Sequence, residues 1–351
     1  MADKMRLGIV GATGYVGMEL LRLLAGHRGF EITRLVSQSY AGQAFSDIYP
    51  AFRGLIDTKL TDLNVQDLAE SCDIVVTALP HGVSSKIVPD LLSLNLKVLD
   101  HSGDFRYRHQ ETYENAYGLS HPRPDLLSKA VYGLPEIYRD KIVKADLVAN
   151  PGCYPTCSLL ALMPLLKSGL IKTGNIIIDA YSGISGAGRK ADLAFSFCEA
   201  QDSIKPYGVI GHRHTSEIEQ EAGFLSGQKN PLILTFTPHL APFKRGMLAT
   251  VYADQSDAGS ETNLQQIFEE FYSNEQFVRV MPSNKTPETR NVAYTNFADI
   301  AVARDDRTGK IKIMSAIDNL GKGASGQALQ SLNLMCGLPE NTGLLSAGGA
   351  I

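Results

Sequence analysis

Residues 6–24, RLGIVGATGYVGMELLRLL, run from an apolar strand through a glycine turn straight into a helix. Residues 7–10 are short, apolar and uninterrupted, the pattern of a strand covered on both faces of a parallel sheet. Gly11, Gly14 and Gly17 make GxxGxxG between strand and helix. Backbone without side chains can approach a pyrophosphate, and free N–H groups at a helix entrance favour its charge. Val16, Leu20, Leu23 and Leu24 give the helix an apolar stripe. The expectation is a dinucleotide site opening a Rossmann-type α/β domain. Its second strand, FEITRLVS, leads into Ser37, Gln38 and Ser39 with no carboxylate. An acidic residue there binds the ribose hydroxyl of NAD; hydroxyls without a repelling charge favour NADP.

The following segments keep the same grammar. CDIVVTALP and LKVLDHSGDF read as strands, with DLNVQDLAES and SSKIVPDLLSLN as crossover helices, so the sheet is parallel and doubly wound. After about residue 150 the pattern changes. NIIIDAYSGISGAG, LILTFTPHLAPF and GMLATVYADQ are longer strands with fewer helices between them. ETNLQQIFEEFYSN is an amphipathic helix, and a hairpin turns around residues 305–309. This predicts an α+β catalytic domain with a mainly antiparallel sheet. Helix returns in NLGKGASGQALQSLNLMCGL, with Ala324, Leu329, Leu332 and Met335 apolar, able to pack back on the first domain. The division expected is residues 1–149 with 319–351 for the nucleotide, and 150–318 for substrate and self-association.

Composition narrows the partners. At 351 residues, a net charge of -4 and 20% charged side chains, the chain lacks the dense basic surface that nucleic acid or anionic lipid needs. No apolar window approaches a membrane span and no signal peptide is evident. Five cysteines, odd in number and mostly far apart, do not form a disulfide framework. A reduced, cytoplasmic protein is expected.

In ANPGCYPTCSLL, Cys153 stands behind Gly152 at the entrance to an apolar helix of about three turns, with Pro155 suited to its first turn. A zinc site lacks further ligands at suitable spacing, and Cys157, one turn on, suits a buried small thiol. The nucleophile reading has mechanics behind it: helix-end N–H groups favour a thiolate and can hold an oxyanion. GHRHTSEIEQEAG offers His212 and His214 as proton partners ahead of a helix capped by Thr215 or Ser216, with Glu217 near enough to orient one of them. His81, His101 and His239 are further histidines in motif-like stretches. Arg106, Arg189, Lys190, Lys244 and Arg245 are cations suited to an anionic substrate. A nicotinamide and a nucleophilic thiol together define reduction of an acyl group, or its reverse, through a thioester or thiohemiacetal.

GATGYVGMEL, SGDFR, YGLPE, ANPGCYPT, SGISGAGRK, GHRHTSEIEQ, TPHLAPFKRGM and NLGKGASGQALQ occur in that order. With them the chain resembles the N-acetyl-γ-glutamyl-phosphate reductases of arginine biosynthesis, within the aspartate-semialdehyde dehydrogenase-like group. The resemblance implies that Cys153 forms the thioester and that His212 or His214 is the acid/base. NADPH would lie along Gly11, Thr13, Gly14, Tyr15, Val16 and Gly17, with Ser37 and Ser39 near the 2′-phosphate and Asn319 near the nicotinamide. Arg106, Ser182, Gly183 and Arg189 would meet a small acyl-phosphate substrate, in a homo-oligomer, dimer or tetramer. The family often reads DLSADFR where this chain has DHSGDFR, and often carries arginine where Gln38 stands. Rival readings are an acetylaminoadipyl-phosphate reductase of lysine biosynthesis, a non-enzymatic NADP-binding sensor, and a cysteine hydrolase.

Overall fold

Seven strands of the computed structural model, which describes residues 4–189, 191–228, 232–259 and 261–348, form a wholly parallel sheet. They are β1 (Met5–Val10), β2 (Phe30–Val36), β3 (Leu60–Thr61), β4 (Ile74–Thr77), β5 (Lys97–Asp100), β6 (Val131–Tyr132) and β7 (Leu147–Ala149), in the order β3-β2-β1-β4-β5-β7-β6. β4 is buried at every position, as its unbroken IVVT requires. The order reverses beside β1, whose carboxyl end carries the glycine turn, the place where open α/β sheets bind ligands.

Helices α1 (Tyr15–Leu24), α2 (Val65–Ser71) and α3 (Ser84–Ser93) are crossovers. Leu68 of α2 and Val88 and Leu91 of α3 join Val75 and Val98 in one core. The buried residues of α1 are Gly17, Glu19, Leu20, Leu21 and Leu24, turned from the expected stripe because Gly17 sets the helix down on the preceding turn. A Cβ there would stand 2.6 Å from the carbonyl oxygens of Gly11 and Ala12. The C-terminal helix Gly326–Met335 packs against α1. Ser325 Oγ donates to Val16 O (2.8 Å) and Gln327 Nε2 to Gly133 O (2.7 Å). It starts later than the sequence suggested, because Gly321–Ser325 form a π-helical turn.

The second sheet has the order β12-β13-β14-β11-β8-β10-β9, from β8 (Ile171–Gly183), β9 (Lys205–Pro206), β10 (Thr235–Ala241), β11 (Met247–Gln255), β12 (Val278–Val280), β13 (Ala298–Asp305) and β14 (Lys310–Ile317). Its pairings are antiparallel except β8 with β10 and β12 with β13. Met247, Ala249, Val251 and Ala253 alternate inward along β11. They face α4 (Cys153–Lys167), whose positions from Tyr154 to Leu166 are all buried. That is burial all round over thirteen of the helix's fifteen residues, where a single broad face and three turns were expected. Pro164 inside α4 cannot donate to the carbonyl one turn back, and the Tyr272 hydroxyl donates to that Leu160 oxygen instead.

The chain divides into a first unit, Met1–Pro151 with Ala324–Leu345, and a second, Gly152–Gly323 with Ser346–Ile351. Asn319 therefore belongs to the second unit rather than the first. Among the described residues no helix is long and apolar enough to cross a membrane.

Candidate active site

In the first unit, β1 leads into Gly11, whose φ of 86° and whose position against Ala78, 2.3 Å from a would-be Cβ to the Ala78 oxygen, exclude any side chain. Gly14 is different. A Cβ there would meet only Gly11 O, at an ordinary 3.5 Å, so packing within the chain does not demand glycine. Gly14 is the N-cap of α1 and no side chain caps that helix. A cradle that a Cβ would fill, facing first-turn N–H groups, fits a dinucleotide pyrophosphate. Tyr15 and Val16, half-buried, begin the helix behind it. Ser37 is buried with its hydroxyl 2.9 Å from Thr13 Oγ1, so it braces the turn, while Ser39 stands exposed beyond it.

The buried Arg106 also belongs to this unit. Its Nε donates to Asn150 O (2.7 Å) and its Nη2 to His101 O (2.8 Å), which ties the guanidinium to the chain leading out of β7. Asn150 Nδ2 donates to Ala324 O (3.1 Å) and lies 3.2 Å from His101 Nδ1. Burial, then the Arg106 charge, pulls the His101 pKa down to about 3 and keeps that ring neutral.

In the second unit Cys153 is the first residue of α4 and only part-buried, whereas Cys157 is enclosed. Burial pushes the Cys157 thiol up to about 12, and its Sγ donates to Ser315 O; it is the inert cysteine of the pair. Gly152 caps α4 without a side chain. A Cβ on Gly152 would lie 2.5 Å from His214 Nε2, so glycine is what lets this imidazole rest beside the Cys153 backbone. The fully buried Glu217 accepts from Gly152 N–H at 2.9 Å, a hold on the helix entrance.

Helix α5 (Arg213–Leu225) begins three or four residues earlier than a cap at Thr215 or Ser216 implied, with His212 as its N-cap. His212 Nδ1 accepts from His214 N–H (3.2 Å), which puts Thr215 and Ser216 inside the helix instead of at its cap. The acceptor role of Nδ1 places the ring proton on Nε2. Tyr154, Tyr207, His214 and Phe236 surround the His212 ring at centroid distances of 5.0–5.8 Å. Tyr207 OH donates to Tyr154 OH (3.3 Å), and Tyr154 OH to His239 O (3.1 Å). Burial raises both phenols, Tyr207 to about 12, so they remain donors. Sequence reading missed both tyrosines; their adjacency to Cys153 and to the HRH segment was the available signal.

The remaining candidates divide. Ser182 is buried at the end of β8, where its Oγ donates to Gly183 O (3.2 Å). Gly183 has a packing reason: a Cβ would meet the Phe243 and Lys244 oxygens at 2.8 Å. Asn319 is gripped from both ends, its Oδ1 by Gly246 N–H (2.8 Å) and its Nδ2 by Ser185 Oγ (2.9 Å). Arg189 and Lys244 are exposed, and Lys190 lies outside the described residues. His81 accepts from Gly103 N–H, and His239 stacks on Tyr181. Arg245, expected to meet an anion, instead pairs with buried Asp318.

A parallel nucleotide-type sheet, a second mostly antiparallel sheet and a thiol at a helix entrance beside two histidines define the semialdehyde dehydrogenase class. Residues 6–145 match the family model for the semialdehyde dehydrogenase NAD binding domain, and residues 153–319 that for its dimerisation domain. The fold is shared with aspartate semialdehyde dehydrogenase II complexed with ASA from Vibrio cholerae (TM-score 0.73, 17% identity, 95% of this chain and 98% of that one). It is shared equally with the aspartate semialdehyde dehydrogenase with NADP from Candida albicans (0.71, 16%, 95% and 98%). N-acetyl-gamma-glutamyl-phosphate reductases are much nearer in sequence. That of Acetivibrio thermocellus is 50% identical over 97% of this chain and 98% of its own, and that of Halothermothrix orenii 48% over 98% and 99%. The chain belongs to the N-acetyl-gamma-glutamyl-phosphate reductase family.

Proposed function

We propose that the protein reduces N-acetyl-L-glutamyl 5-phosphate to N-acetyl-L-glutamate 5-semialdehyde with release of phosphate, in the cytoplasm and in the service of arginine biosynthesis. The observation that carries this reading is Cys153 at the entrance of α4 with His214 seated against Gly152. The dinucleotide would be held in the first unit by Gly11, Thr13, Gly14, Tyr15, Val16 and Gly17, with exposed Ser39 assigned to its ribose and Ser37 bracing Thr13. The absence of a carboxylate after β2 favours NADP over NAD. Bound there, NADPH supplies the hydride that converts a thioester to an aldehyde.

The Cys153 sulfur attacks the 5-acyl carbon, forming a C–S bond, and its proton passes to His214. N–H groups of the first turn of α4 steady the oxyanion of the tetrahedral adduct, whose C–O bond to phosphate then breaks and leaves a thioester. After reduction the carbon bears an alkoxide. As the C–S bond breaks, the thiolate departs and the C–O⁻ closes to the aldehyde carbonyl. His214 holds the proton that steadies the departing sulfur. His212, a neutral ring with its proton on Nε2, contributes a hydrogen-bond donor beside it. Arg106, Ser182 and Arg189 are assigned to the substrate, Arg106 and Ser182 from buried positions, and Asn319 to the nicotinamide side.

The test is a single turnover without nucleotide. Acyl phosphate should release one phosphate per active chain and leave one acyl group on the Cys153 peptide, located by mass. Cys153→Ser should lose at least about 10³-fold in turnover with NADPH affinity unchanged. A full phosphate burst in that variant would overturn the reading.

The protein is further proposed to act as a homo-oligomer. The dimerisation-domain match supports this, as does a run of large apolar side chains left in water between residues 193 and 210.

A further inference from the structure

Arg245 is one of five cations that the sequence offers to an anionic ligand, and in the structure it pairs with Asp318. Its Nε lies 2.9 Å from Asp318 Oδ2 and 3.1 Å from Oδ1, and the two side chains are 6% and 0% exposed. The guanidinium also covers the Tyr294 ring, 4.3 Å from its centroid. Asp318 carries more than this ion pair. Its Oδ1 accepts from Leu320 N–H (2.8 Å) and Gly321 N–H (3.0 Å), and its Oδ2 from Tyr294 N–H. Its own backbone oxygen accepts from Gly323 N–H at 2.8 Å. One carboxylate thus winds residues 318–323 into a tight turn.

That turn backs the thiol. A Cβ on Gly323 would stand 3.0 Å from Cys153 Cβ, so the Gly323 backbone is pressed against the cysteine side chain. Gly321 is equally confined, 2.1 Å from a would-be Cβ to Thr295 O. Gly246, the residue after Arg245, donates its N–H to Asn319 Oδ1 (2.8 Å). Residues 245 and 246 therefore fasten two consecutive residues of the turn, one through a charge pair and one through an amide.

We propose that Arg245 is a positioning residue: through Asp318 it holds the 318–323 turn against Cys153 and so fixes where the sulfur points. A buried charge pair costs desolvation that an apolar pair would avoid, and here it secures a rigid wall behind the reacting atom. The inference rests on Cys153 being the nucleophile. Its first readout, alkylation of the thiol, needs neither acyl phosphate nor nucleotide, so the two readings fail separately.

The measurement is the rate of Cys153 alkylation by iodoacetamide in the full-length protein, with the modified peptide located by mass, followed by kcat and KM. Arg245→Met should slow alkylation at least about fivefold and lower kcat about 10- to 100-fold, with KM for NADPH within about twofold. Arg245→Lys keeps the charge without the fork and should recover part of the loss. Gly323→Ala leaves the ion pair intact but crowds the Cys153 side chain, and should slow alkylation with the thermal midpoint little changed. Folded Arg245→Met with wild-type alkylation and kcat would overturn the proposal. Should Arg245→Met not fold, an unchanged alkylation rate in Gly323→Ala overturns it alone.

Discussion

Burial among aromatic rings, and then the neighbouring Arg213 charge, pull the His212 pKa from its ordinary value down to about 4. An unfolded chain takes up the proton near pH 6.5, so between about 6.5 and 4 it binds protons that the native ring refuses. The contribution of neutral His212 to stability is therefore whole above pH 6.5, falls as pH drops, and levels off below 4. His212→Asn keeps a capping side chain and removes the titration. Urea denaturation should show the wild type losing on the order of 1–2 kcal/mol more than this variant between pH 7.5 and pH 5. Equal losses would place the histidine in water. Sequence named Cys153, His212 and His214, because motif and helix position mark them. It could not show Ser37 already committed to Thr13, or Arg245 to Asp318, since those partners are 24 and 73 residues away.

Two helix entrances make the thiol site. α4 opens at Gly152 and α5 at His212, and the first turn of α5 sets the His214 ring on the Gly152 backbone. The contact admits no Cβ, so Gly152→Ala must push the imidazole aside. A displacement of this size near reacting atoms costs on the order of 100-fold in kcat. The expected outcome is that loss in steady-state assays with the thermal midpoint within a few degrees of wild type; an unimpaired kcat would mean that His214 is not the proton partner. The strong elements were legible in sequence: β1, β2, β4, β5 and the β13–β14 hairpin all follow from period and turn chemistry. β3, β6, β7, β9 and β12 were not, being two or three residues long. β7 matters most, because its three residues lead directly into Asn150 and the thiol.

For the molecule as a whole the informative surface is the stretch between β8 and α5. Leu193 and Phe197 are each 77% exposed and Ile210 is 97% exposed, with Ile204 and Val209 also in water. So many large apolar side chains in water along one stretch of chain call for a cover, and the proposed cover is a second copy of this chain. Phe197→Glu combined with Ile210→Glu should shift sedimentation at micromolar concentration from oligomer toward single chain. An unaltered oligomer would move the interface elsewhere. Strand and helix periods, the glycine turn and the cysteine at a helix entrance were determined by sequence alone, because each is a local property of backbone sterics and side-chain spacing. Only the tertiary structure decided which histidine rests on Gly152, which arginine is consumed by Asp318, and what stands behind the sulfur. Those outcomes depend on buried charges and rings finding partners across long stretches of chain, and no local pattern encodes that choice.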